Sequence, residues 1–191
     1  MNTAQNTSTR IETVRPGQRP SRLLLGVATA IAAVAASARA QCTLAGSGAA
    51  NDAYLVATYD DLRQVGSLCG LNAVYQQTDT IDATISSSDT AAFVPIGTDA
   101  DSMQPFTGSY HGGGFPIRNL FVRDTSNLHV GLFGWIARGT IDGVTLYNAR
   151  ISGTINNVSG VDGYNQGTVS HCYVTGSISA STSGYVGGVF G

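Results

Sequence analysis

An internal repeat constrains this chain more than any other feature. Gly139-Thr140-Ile141-Asp142 returns as Gly167-Thr168-Val169-Ser170, and the same offset carries Val144 onto Cys172, Leu146 onto Val174 and Gly160 onto Gly188. Glycine clusters recur in step: GLFG at 131–134, GVDG at 160–163 and GGVFG at 187–191. From residue 73 onward helical periodicity is lost, and short β-rich runs such as FVPIG, FTGSY and IRNLFV alternate with Gly, Asn, Ser and Asp. Two or three short strands per copy predict an all-β solenoid, a parallel β-helix. Each coil offers a row of apolar side chains, here Ile141, Val144, Leu146 and Ile151, that it cannot bury alone. Stacking coils about 4.8 Å apart places like residues over like.

Upstream the pattern changes. YLVATYDDLRQVGSLC, 54–69, reads as a short strand and a short helix, with Thr58 and Asp61 as a capping box and Leu62, Val65 and Cys69 on one face. Residues 41–72 are therefore expected to form an N-terminal cap with a short helix, and 73–191 the β-helix repeats. The end at GGVFG, midway through a third copy, is read as truncation: an N-terminal fragment of a larger protein, whose downstream repeats are its expected partners.

Residues 1–40 have the layout of a secretory signal peptide. Arg10, Arg15, Arg19 and Arg22 precede the uncharged run Leu23–Ala36, and Ala38-Arg39-Ala40 closes it. Cleavage is expected between Ala40 and Gln41, leaving no stable membrane span. The remaining chain holds eleven Asp against five Arg, with no Lys and no Glu, a formal charge of −6. That balance excludes nucleic acid as a natural partner. Export implies an oxidising compartment, in which Cys42 and Cys69 are the natural disulfide pair. Cys172 is the odd cysteine. It is expected as a buried apolar residue over Val144, the alternative being a bond to a cysteine beyond residue 191.

The order of these blocks resembles the GLUG-motif repeats of bacterial surface and secreted proteins. AYLVATYDDLRQVG with VYQQTDTIDAT is similar to the family's lead-in, FVPIGT, FTGSYHGGGFPIRNLFV and GLFG to its next coil, and GTIDGVTLYNARISGTI and GTVSHCYVTGSIS to the repeats. The chain departs from the pattern at His111 and at Phe115-Pro116. The resemblance implies a right-handed parallel β-helix, often part of an adhesin-like or filamentous-haemagglutinin-like protein.

Candidate chemistry is sparse. His111 followed by Gly112, Gly113 and Gly114 has the form of a lipase oxyanion loop, but no G-x-S-x-G follows, and the glycines read as a sharp turn. His111, His129 and His171 lack zinc spacing. Asp99 and Asp101 have calcium-like spacing without the rest of a calcium loop and read as solvated. Asp79 and Asp82 are taken as one strand's residues on opposite faces. Trp135, Tyr147, Tyr164, Tyr173 and Tyr185 offer aromatic surface for sugar rings or for stacking. Asn157-Val158-Ser159 is a glycosylation sequon.

These readings assign no catalytic, metal or cofactor-binding residue. They point to an exported, non-enzymatic module for surface display or adhesion on the outside of a bacterium, with a glycan or protein of a host or neighbouring cell as partner. The alternatives are a β-helix polysaccharide lyase or hydrolase, or a repeat region beside a missing peptidase domain. The last coil is expected to expose Val174, Ile178, Val186, Val189 and Phe190 and to associate end to end.

Overall fold

The computed structural model describes residues 41–88, 90, 92–98, 103–154, 156–181 and 184–191. The expected signal segment, Ala40 included, and the acidic pair Asp99 and Asp101 lie outside them.

The chain opens with β1 (Tyr54–Val56) and α1 (Tyr59–Gln64). Thr58 caps α1 as its sequence implies: its hydroxyl accepts the Asp61 N–H, and the Asp61 carboxylate accepts the Thr58 N–H at 2.9 Å. Leu62, Val65 and Cys69 are buried together. There follow β2 (Val74–Gln77), β3 (Ile81–Asp82), a 3-10 turn at Thr84–Ser87, β4 (Ser109–His111), β5 (Pro116–Arg118), β6 (Phe121–Asp124) and β7 (His129–Val130). The long strands come last: β8 (Phe133–Asp142), β9 (Thr145–Gly153), β10 (Asn157–Val158), β11 (Asp162–Ser170), β12 (Tyr173–Ala180) and β13 (Tyr185–Val186).

The fold is all-β with parallel sheets. The first has the order β1-β2-β4-β8-β11, the second β13-β10-β7 and the third β12-β9-β5-β3, with β6 also paired to β9. From β7 onward the chain visits the second, first and third sheets in strict rotation. The register shows why the repeat is visible in sequence. Asn157 lies between His129 and Tyr185, Thr168 beside Thr140, and Val174 beside Leu146, each a single repeat from its partner. The step is not uniform. It lengthens by one where Tyr164 meets Trp135 and shortens by one where Ile178 meets Ile151, on either side of irregularities in the pairing. Arg138 and Asn148, near these shifts, hold positive φ.

Like stacks on like inside. Tyr54, Tyr75, Tyr110, Ile141 and Val169 share one register position across the first sheet, and Ile81, Ile117, Leu146 and Val174 one across the third. The rings of Tyr75 and Tyr110 are 6.4 Å apart and those of Phe106 and Phe133 5.1 Å, geometry that favours aromatic contact. Burial raises the Tyr75 hydroxyl to about 12 and pushes Tyr110 up as well. Ile141, Val144, Leu146 and Ile151 are all buried.

Four expectations need adjustment. Asp79 lies between β2 and β3 rather than on a strand with Asp82, because Thr78–Thr80 turns the chain from the first sheet to the third. Helical structure recurs beyond residue 73, where helical periodicity is lost, since Thr84–Ser87 makes a 3-10 turn. Cys172 is half-buried rather than buried, a free thiol beyond the last residue of β11. At the last strands Val186 and Phe190 are exposed, whereas Val174, Ile178 and Val189 pack partly against the core.

Candidate functional site

The HGGG stretch is a corner. Phe115 N–H bonds the Gly112 carbonyl at 3.1 Å, and the two central residues, Gly113 and Gly114, have φ of 63° and 80°. Such a pair of positive values favours glycine. Gly112 is needed for another reason: a Cβ there would lie 2.2 Å from the Gly143 carbonyl oxygen of the neighbouring turn. Its N–H is committed to the Asp142 carbonyl at 2.8 Å, so it does not point at a substrate.

Polar side chains at the corners knit successive copies together. Asp82 accepts from the Thr84 hydroxyl and N–H and from Asn119, and these bonds hold its carboxyl below the usual range. Asn148 donates to the Asn119 side-chain oxygen at 2.8 Å. On the first sheet His111, Asp142 and Ser170 sit side by side on β4, β8 and β11. Asp142 Oδ1 lies 2.7 Å from His171 Nδ1 and accepts from the Ser170 hydroxyl at 2.7 Å; the His171 contact is the larger cause of its lowered pKa. Among the described residues no three His, Cys, Asp or Glu side chains are placed to hold a metal.

One buried carboxylate stands apart. Asp162 fills in GVDG the position that GLFG and GVFG give to Phe, and it pairs in register with Phe133 on one side and Phe190 on the other. It is 1% exposed, and its Oδ2 has no hydrogen-bond partner among the described residues. Desolvation raises its pKa to about 7, opposed only by the Tyr164 N–H.

The expected disulfide pair, Cys42 and Cys69, is joined in the structure with Cα atoms 4.8 Å apart, and it ties the segment before β1 to the turns that follow α1. Gln41, on the far side of the expected cleavage, is exposed. Beside α1 a cleft of about 780 Å³ is lined by Leu68, Leu71, Val94, Pro95 and Ile96, with Arg63 and Gln104. The sequon at Asn157 lies on β10, paired on both edges, with Ser159 buried.

The arginines form a pattern that motif reading passed over. Arg118 on β5, Arg123 on β6 and Arg150 on β9 are exposed on the third sheet, where alternate residues are buried. Of the aromatic candidates, Tyr147 and Tyr173 lie exposed on that sheet, while Tyr164 stacks on His129 at 4.8 Å beside Trp135. Register is the signal that finds the set, since Arg118 pairs with Tyr147 and Phe121 with Arg150.

No family model matches the chain. No solved structure matches it. Halomucin of Haloquadratum walsbyi is 36% identical over 152 residues, which cover 76% of this chain and 2% of Halomucin. The chain thus spans a small part of the length of the curated relative it resembles. No helix of the described residues is long and apolar enough to cross a membrane.

Proposed function

We propose that the chain is an exported, non-enzymatic module of GLUG-repeat type, a right-handed parallel β-helix that serves surface display or adhesion outside the cell. The observation that carries this reading is the rotation of β7 to β13 through three parallel sheets at a nearly constant step in sequence. A chain that returns to the same sheet edge at each copy winds as a coil, and parallel crossovers of this kind are right-handed. The Cys42–Cys69 bond suits an oxidising exterior, and the likeness to a stretch of Halomucin agrees with a place outside the cell. Downstream repeats of the same protein and a glycan or protein of another cell are the partners this reading implies.

The arrangement of polar groups favours a scaffold over an enzyme. A catalytic β-helix gathers acids, bases and cations on one face. Here the His111, Asp142 and His171 set lies on and just beyond the first sheet, and the three arginines lie on the third. Labelling of intact cells with an antibody raised against the chain from Gln41 onward tests the reading. Labelling without permeabilisation is the expected result; labelling only after permeabilisation would overturn it.

A further inference from the structure

Three of the five arginines beyond residue 40 share the outward face of the third sheet. Two are already positioned against rings. The guanidinium carbon of Arg118 lies 5.4 Å from the Tyr147 ring centroid, and that of Arg150 5.7 Å from Phe121. Stacking of this kind orients the planar cation while leaving N–H groups at its edge for an oxyanion. None of the three arginines makes an ion pair with a described residue.

Asp82 is the acid on that face, and it is occupied; Asp124 follows Arg123 on β6 and, with the parity of buried Val122, falls on the other side. Asp82 bonds Thr84 and Asn119, and Arg118 beside it in register is the weakest of the influences on its carboxyl. Asp124 accepts from the Ser126 and Asn127 N–H groups and the Asn127 side chain. The guanidinium groups are left to face solvent in a chain whose formal charge beyond residue 40 is −6. A concentration of cation against that background attracts an anionic partner. Parallel strands repeat about every 4.8 Å and outward residues about every 6.6 Å along each strand, so the face is a regularly spaced array of rings and cations. A polysaccharide matches it: the C–H faces of sugars lie on rings, and their acidic groups meet Arg in bidentate pairs.

We propose that the outward face of the third sheet, where Arg118, Arg123 and Arg150 alternate with Phe121, Tyr147 and Tyr173, binds an acidic polysaccharide through its carboxylate or sulfate groups. The proposal takes from the adhesion reading only a location outside the cell. Binding is measured on the purified chain, so its failure leaves cell labelling unaffected, and the reverse holds.

The test is calorimetric titration with polygalacturonate, dextran sulfate and neutral dextran, which separate carboxylate from sulfate and both from an uncharged sugar. At least one polyanion binds and dextran does not, and added salt weakens the binding. R118Q/R123Q/R150Q weakens it at least tenfold, whereas R63Q/R138Q changes it less than twofold. R123Q alone, whose side chain touches no ring, weakens it severalfold with an unchanged circular-dichroism spectrum, which covers the case of a triple variant that fails to fold. Equal binding of dextran, binding indifferent to all three arginines, or tighter binding of a single-stranded oligonucleotide would overturn the proposal.

Discussion

Asn148 donates its side-chain amide to the side-chain oxygen of Asn119 across 2.8 Å, and both residues hold left-handed backbone, with φ of 55° and 58°. Asn is one of the few side chains that tolerates this conformation. Its amide here also joins β9's bend to the corner after β5. The backbone N–H of Asn148 continues the chain of bonds to the Thr175 hydroxyl at 2.9 Å, so three successive copies are linked at one corner.

Replacing Asn148 separates these two roles. Asn148→Val forces a β-branched residue into left-handed backbone and removes the side-chain bond, and should cost about 2 to 3 kcal/mol. Asn148→Gly removes only the bond and should cost less than about 1.5 kcal/mol. Urea denaturation of the two variants checks the order; equal losses would show that backbone conformation is not the constraint.

Asp162 sets a dependence of stability on pH. Its folded pKa of about 7 lies above the unfolded value of 3.8, so the folded state binds its proton more tightly. Stability is therefore greatest with the carboxyl protonated and falls as pH rises from about 4 to about 7, by roughly 4 kcal/mol at most. The influence that opposes burial is the Tyr164 backbone N–H. Asp142 and Asp82, whose pKa values are lowered, act in the opposite sense below pH 4. Asp162→Asn should flatten the slope between pH 4 and 7 in thermal melts, and an unchanged slope would clear Asp162 of responsibility.

The Cys42–Cys69 bond closes a loop over a sequence separation of 27. Chain-entropy reasoning gives it about 3.5 kcal/mol of stabilisation. Reduction, or the double change to Ser, should lower the urea midpoint accordingly and leave the spectrum of the later strands intact. Peptide mapping of exported protein without reductant should recover the two cysteines in one linked fragment.

Among the described residues the outer edges of β13 and β12 are unpaired, and so is that of β11 beyond the bridge from Asp162 to Phe190. Tyr173, Tyr185 and Val186, at 59%, 77% and 51% exposure, stand there with Phe190. Unpaired parallel edges with apolar side chains template further pairing. The chain from Gln41 to Gly191 should associate in light scattering, and Val186→Lys with Phe190→Lys should shift it toward monomer. A monomer that persists on concentration of the unaltered chain would count against this.

The pairing of β11 with β8 was legible because Gly, Thr and β-branched residues return at a fixed step, as Thr140 and Thr168 do. The earlier copies were harder to see. The step from Tyr110 to Ile141 is longer, and that from Val74 to Ser109 longer again, since loops of unequal length separate strands that still stack. A fixed period cannot detect such copies. The arginine face was hidden for a related reason. Arg118 and Tyr147 meet across a whole copy, and Phe121 and Arg150 meet across the same copy. Asp162 was in plain view as the odd letter among GLFG, GVDG and GVFG. Its meaning needed the register that sets it between two phenylalanines.

The register between His129, Asn157 and Tyr185 also has a mechanical consequence. Their backbones lie one strand spacing apart, about 4.8 Å, though each step consumes a full copy of chain. Pulled straight, a copy of about 28 residues reaches roughly 95 Å. Peeling one copy from the end would lengthen a tether by about 90 Å, while the segment between Cys42 and Cys69 could not yield at all. Under tension, such a chain would release slack copy by copy from one end and hold fast at the other.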